Sequence, residues 1–149
     1  MSTVLDVFGI AYDPGDSDGI IATYHDTVTE SDSNGISLFT DITSGSRAIS
    51  INGSGFQGPI TVIVALDGGV ITGFKVVEQV ETPGLGARIT EDAFQQSFVG
   101  KRVLDGIRMT RTGNAGMSEF DAITGATETS RALERLLNRG FELYFENIQ

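Results

Sequence analysis

"PITVIVALDGGVITGFKVVE", from Pro59 to Glu78, decides the fold. Two runs rich in Val, Ile and Phe flank Asp67-Gly68-Gly69. β-Branched residues favour strands, and a Gly-Gly pair accepts the positive φ of a tight hairpin turn. Both runs are apolar on both faces, where a half-solvated strand would alternate with polar residues. The pattern predicts a hairpin at the centre of a sheet covered on each side.

Upstream, "DVFGIAY", "GIIATYH", "ISLFTDI" and "RAISI" are short apolar runs separated by turn chemistry such as "DPGDSDG" and "SDSNG". They predict several short strands in the first fifty residues. Downstream, the Pro and glycines of "ETPGLGARIT" predict a loop. "TEDAFQQSF" predicts a short helix capped by Thr90, with Glu91 and Asp92 in its first turn. "KRVLDGIRMTR" predicts a return to strand. From Thr127, the positions of Leu133, Leu136, Leu137, Phe141, Tyr144, Phe145 and Ile148 keep one helical face. The C-terminus is therefore one long amphipathic helix, or two joined at Gly140, where glycine costs about 1 kcal/mol relative to alanine. The class is α+β: a strand-rich single domain over residues 1–149, with a central hairpin sheet, a short helix and a long C-terminal helix.

Composition narrows the chemistry. The 149-residue chain has no cysteine, which excludes disulfides, thiolate nucleophiles and Cys-ligated metal sites. Its net charge is −10, opposite to the basic footprint of a nucleic-acid binder. The charge is uneven: up to Phe74 nine Asp/Glu face one Arg, and beyond it eleven face nine basic residues. Any phosphate or nucleotide chemistry would therefore belong to the second half. No 18-residue apolar stretch predicts a membrane span, and "MSTVLDVFGI" has neither the basic region nor the apolar core of a signal peptide.

Three features carry little. "GSGFQG" (Gly53–Gly58) matches the dinucleotide pattern G-x-G-x-x-G but leads into Pro59 and a strand. The fingerprint must open a helix, so a turn is expected here. Glu30, Asp32, Asn34, Gly35 and Asp41 are spaced like a calcium loop, but the first and last acids are of the wrong type and strands flank them; a hairpin turn is expected. His25, the only histidine, has no partner placed for triad chemistry. Tyr12, Tyr24 and Tyr144 read as packing residues.

Two stretches are more specific. In "ETPGLG" (Glu81–Gly86) an acid and a hydroxyl lead into a Pro-Gly turn. Gly84 and Gly86 let backbone N–H groups approach a ligand, and Leu85 between them presents an apolar surface to a flat ring. A plain strand-to-helix connection fits equally well. In "DAITGATETS" (Asp121–Ser130) four hydroxyls meet a glycine where a helix begins. Small residues at Gly125 and Ala126 leave room beside Thr127. A helix N-terminus can seat a phosphate, and a threonine hydroxyl there can be esterified by one. Ordinary capping by Thr124 or Thr127 is the competing reading.

Together these motifs resemble the FMN-binding domain family. That family includes the G subunit of the Rnf electron-transport complex and the C subunit of the sodium-pumping NADH:quinone oxidoreductase. The family pattern is an Asp, two variable residues, Ser or Thr, Gly, Ala, and a final Thr carrying FMN through a phosphoester. Asp121, Thr124, Gly125, Ala126 and Thr127 fit it without departure, and "ETPGLG" precedes it complete. The similarity runs from about Gly53 to Leu137.

The resemblance implies covalent FMN on Thr127, attached by a magnesium-requiring flavin transferase with FAD as donor. Asp121, Thr124, Gly125 and Ala126 would form the transferase recognition site and the pocket wall. Thr82, Leu85 and Gly86 would contact the flavin, while Glu81 would touch it or orient the loop. The domain would be an electron carrier, not a stand-alone enzyme, serving redox partner subunits of a membrane complex on its extracytoplasmic face. The membrane anchor usual in these members is not found in this chain; truncation, a soluble relative or an anchor on another subunit would explain that. Two rivals are a flavin-free interaction module of the same fold and a reductase that binds FMN noncovalently.

Overall fold

In a computed structural model that describes residues 1–147, the chain begins with two helices, α1 (Ser2–Phe8) and α2 (Ser17–Thr27). Five strands follow: β1 (Val28–Ser33), β2 (Ile36–Asp41), β3 (Arg47–Ser54), β4 (Pro59–Asp67) and β5 (Val70–Glu78). A 3-10 turn (Gly86–Thr90) and α3 (Asp92–Gln96) lead to the short strands β6 (Arg108–Thr110) and β7 (Glu119–Asp121). The long helix α4 (Thr127–Asn147) closes the chain. The α+β architecture, the hairpin, the short helix and the long C-terminal helix are all present.

β1 to β5 form one antiparallel sheet in sequence order. The β4–β5 hairpin turns at Gly68, whose φ is +59°. It is not central, however: β4 is the fourth strand and β5 the last. Residues 100–103 cover only the start of the open edge of β5, beside Gly69, Val70 and Ile71. The Ile71 N–H donates to the Lys101 carbonyl (2.9 Å), and the Ile71 carbonyl accepts from the Gly100 N–H (2.7 Å).

Both faces of the sheet are covered, as the apolar pattern requires. Alternate residues of β4 divide between two cores. Ile60, Val62, Val64 and Leu66 pack in a cluster with Leu133, Leu136, Leu137 and Phe141 of α4. Ile63 and Ala65 pack with Val4, Leu5 and Val7 of α1. The alternation of side chains along a strand enforces this division.

The first fifty residues depart from expectation. "DVFGIAY" and "GIIATYH" lie in or beside helices, not strands, whereas "ISLFTDI" and "RAISI" form β2 and β3. Short apolar runs do not distinguish strand from helix by period. The local signals that decide here are Gly9, left-handed at φ 69° after α1, and Asp16, whose carboxylate accepts from the Gly19 N–H (2.9 Å) at the start of α2. The residues spaced like a calcium loop are not gathered around one point. Asn34 and Gly35, both at positive φ, make the two-residue turn of the β1–β2 hairpin. Glu30 accepts from the Tyr24 hydroxyl, and Asp41 from the Thr43 N–H and the Ser44 hydroxyl.

Three smaller expectations also change. Thr90 does not cap α3; its hydroxyl donates to the Ala87 carbonyl (2.9 Å) and closes the preceding turn. Of Lys101–Arg111 only Arg108–Thr110 is a named strand, paired in parallel with β7, because a turn at Gly106 (φ 92°) breaks the run. Gly140 is no joint. α4 passes through it unbroken for 21 residues. A Cβ at Gly140 would lie 2.6 Å from the Ile51 side chain, so glycine lets the helix approach β3. Ile148 lies outside the described residues.

Candidate functional site

Two turns of one kind face each other at the start of α4. In the first, the Leu85 N–H donates to the Thr82 carbonyl (3.0 Å), with Pro83 and Gly84 between them and Gly84 at φ 76°. In the second, the Ala126 N–H donates to the Ile123 carbonyl (3.0 Å), with Thr124 and Gly125 between them and Gly125 at φ 82°. Positive φ at the third residue is the type II pattern, which selects glycine. The turns meet side by side: a Cβ on Gly125 would be 3.6 Å from Leu85 Cδ2. Motifs about forty residues apart in sequence are thus neighbours in space.

Beneath them lies a buried carboxylate. Glu81 is only 3% exposed. Its Oε1 accepts from the Phe56 N–H (2.9 Å) and the Thr129 hydroxyl (2.7 Å), and its Oε2 accepts from the Gln57 N–H (2.8 Å). One side chain therefore joins the β3–β4 turn, the "ETPGLG" loop and the first turn of α4. Gly86 makes the junction possible, since a Cβ there would overlap the Thr129 hydroxyl and lie 2.9 Å from Glu81 Cβ.

The four hydroxyls at the helix start divide by role. Thr129 is bound to Glu81. Ser130 is fully buried; its hydroxyl donates to the Ala126 carbonyl (2.9 Å) and accepts from the Ile123 N–H (3.1 Å), fixing the second turn on the helix. Neither Thr124 nor Thr127 caps α4, contrary to the ordinary capping reading. Ala126 stands at the cap position, where its carbonyl accepts the first helical bond, from the Ser130 N–H. Among the described residues, the amides of Thr127, Glu128 and Thr129 and the Thr127 hydroxyl receive no partner from elsewhere in the chain. A 21-residue helix thus presents an uncapped N-terminus, with donors and dipole suited to an anion.

The remaining expected residues are placed as follows. Thr82, Leu85, Thr124 and Gly125 are exposed, and Thr127 is half-buried on the first turn of α4. Gly86 and Ala126 are buried and shape the site from beneath. Asp121 is half-buried; its Oδ2 accepts from the Ala115 N–H (3.2 Å), while its buried Oδ1 has no partner. His25 is exposed on α2. Phe56 and Val80 join the site without any signal in the sequence. Both are more than half exposed. Phe56 is tied to Glu81 through its amide, and Val80 precedes Glu81 in the chain. With Leu85 they give this end of the molecule an apolar rim.

These features fit a flavin mononucleotide. Uncapped amides and an unengaged hydroxyl suit its phosphate, and the turn glycines and apolar rim suit a flat ring. Residues 55–142 match the FMN-binding domain. Over 93 residues the chain is 34% identical to the G subunit of a Na(+)-translocating ferredoxin:NAD(+) oxidoreductase complex of Acetobacterium woodii, covering 61% of this chain and 44% of that protein. Over 98 residues it is 35% identical to the C subunit of a Na(+)-translocating NADH-quinone reductase of Neisseria meningitidis, covering 60% and 38%. The chain thus spans less than half the length of these relatives. Its fold matches the crystal structure of the C subunit of a Na(+)-translocating NADH-quinone reductase from Parabacteroides distasonis, with TM-score 0.78, 20% identity, and coverage of 95% of this chain and 87% of that one.

Proposed function

The chain belongs to the FMN-binding domain family, and from that premise we propose that it carries FMN covalently on Thr127 as an electron-transfer domain. The observation that carries this reading is the uncapped first turn of α4, with an unengaged Thr127 hydroxyl beside the opposed turns.

In the maturation step the Thr127 oxygen bonds to the FMN phosphorus of FAD. The pyrophosphate bond breaks, AMP leaves, and the hydroxyl proton passes to the transferase or solvent. The product phosphodiester keeps one negative charge at the favourable end of the helix dipole. Thr124 and Gly125 are exposed for recognition by the transferase, and Asp121 is the acid beside them. Gly125 and Gly86 hold the backbone in the shape that leaves room for the ring, while Leu85, Phe56 and Val80 supply apolar contact and exclude water from one side. The bound isoalloxazine would supply the electron chemistry, and the protein its position and access.

Homology to components of the two Na(+)-translocating oxidoreductases supports partners that are redox subunits of a membrane complex. Among the described residues no helix is long and apolar enough to cross a membrane. We place the domain on the extracytoplasmic face, where a covalent bond keeps FMN from being lost to surroundings without free flavin. The test is coexpression with and without the flavin transferase, read by intact mass and in-gel flavin fluorescence. Wild type should gain one FMN less one water only with the transferase, and Thr127→Val should gain nothing. Labelled Thr127→Val, or unlabelled wild type beside an active transferase, overturns the proposal. Flavin released by acid precipitation would favour noncovalent binding instead.

A further inference from the structure

We propose that Glu81 is an ionised positioning residue that fixes the Phe56–Gln57 turn against α4 and holds the reduction potential of the flavin down. The proposal rests on the reading of Thr127 as the attachment point, and its first half can be tested without flavin.

All three partners of the Glu81 carboxylate donate to it: two backbone N–H groups and the Thr129 hydroxyl. An ionised carboxylate only accepts, and all three contacts match that. Among the described residues no Lys or Arg lies within ion-pair distance of it; the nearby pairs Arg88–Glu91 and Arg131–Glu128 are exposed and closed on themselves. A full negative charge is therefore buried with only neutral donors and the N-terminal end of α4 to stabilise it.

That arrangement has two consequences. The first is mechanical. The β3–β4 turn closes on itself by one bond, from the Gly55 N–H to the Gly58 carbonyl (2.7 Å). Its tip, Phe56 and Gln57, is tied to the first turn of α4 through Glu81 and the Thr129 hydroxyl, and loss of the carboxylate would free both amides. The second is electrostatic. Thr129, bound to Glu81, is two residues from Thr127 on the first turn of α4. Reduction of a flavin adds negative charge to its ring, and an unneutralised carboxylate in a poorly solvated region opposes it. Removing that charge should raise the potential.

Three variants separate the two effects: Glu81→Gln removes the charge and keeps the size, Thr129→Val removes one donor and keeps the charge, and Thr129→Ser restores the hydroxyl. In the flavin-free chain, amide hydrogen exchange at Phe56 and Gln57 should accelerate about tenfold or more in Glu81→Gln, as expected for loss of hydrogen bonds to a charged group. Thr129→Ser should stay near wild type. In the flavinylated chain the midpoint potential should move up in Glu81→Gln and down in Thr129→Val, where the charge keeps one donor fewer. Unchanged exchange in Glu81→Gln overturns the mechanical half, and an unchanged or lowered potential overturns the electrostatic half. If Glu81→Gln does not fold, Thr129→Val decides: a lowered potential, from a carboxylate with one donor fewer, supports the electrostatic half, and an unchanged or raised one overturns it. If wild type takes up no FMN, the Thr127 reading fails, while exchange at Phe56 and Gln57 still decides the role of Glu81.

Discussion

The two ends of α4 make opposite offers to a ligand. From Glu134 onward the helix lines a cleft of about 850 Å³ bounded by Asp105, Glu119, Glu134, Glu142 and Glu146 with Arg108 as the basic residue. Its N-terminal turn has free amides, an unengaged hydroxyl and two glycine turns. The helix dipole places partial positive charge at the Thr127 end and partial negative charge at the acidic end. A phosphate is therefore repelled in the acidic cleft and favoured where the donors are.

The sharpest way to break this contrast is to alter one residue at each end. Thr127→Val should abolish flavin labelling entirely, whereas Glu142→Gln in the acidic cleft should leave labelling and stability within about 0.5 kcal/mol of wild type, as an exposed substitution does. Equal loss in both, by fluorescence and intact mass, would erase the distinction between the ends. Gly86→Val is next in size. Its side chain would collide with Thr129 and Glu81, and overpacking of this kind costs about 1–3 kcal/mol. Thermal unfolding should fall by roughly 2–4 °C per kcal/mol in a domain of this size, with reduced labelling.

Smaller effects sharpen the division among the hydroxyls. Ser130→Ala leaves the Ile123 N–H without its acceptor and should cost about 1–3 kcal/mol in denaturant unfolding. Gly125→Ala forces a side chain into the left-handed region and should cost about 1–2 kcal/mol. Thr124→Val, at an exposed residue that caps nothing, should change stability by less than about 0.5 kcal/mol. A comparable loss for Thr124 and Ser130 would restore the capping reading.

What depends on neighbouring residues is legible in the sequence. The β4–β5 hairpin, the Pro-Gly turn at Gly84 and the apolar face of α4 are local patterns, and the structure has each of them; the matching turn at Gly125 is not expected from the sequence. What stays hidden depends on contacts between distant segments. The carboxylate of Glu81 meets Phe56 from 25 residues away and Thr129 from 48; no spacing rule announces such pairs. "GSGFQG" reads as a turn and is one, yet nothing in its pattern reveals that Glu81 uses its amides. α1 and α2 look like strands because seven- and eleven-residue helices leave too short a period to separate the two. The edge position of β5 has no local signal either; residues 100–103 pair with its first residues from about thirty positions away.

The most direct measurement is the intact mass of wild type and Thr127→Val after coexpression with an active flavin transferase. The account predicts a gain of one FMN less one water on wild type, mapped by fragmentation to Thr127, and no gain on the variant. FMN carried on another residue, or present in the variant at the wild-type level, would contradict it.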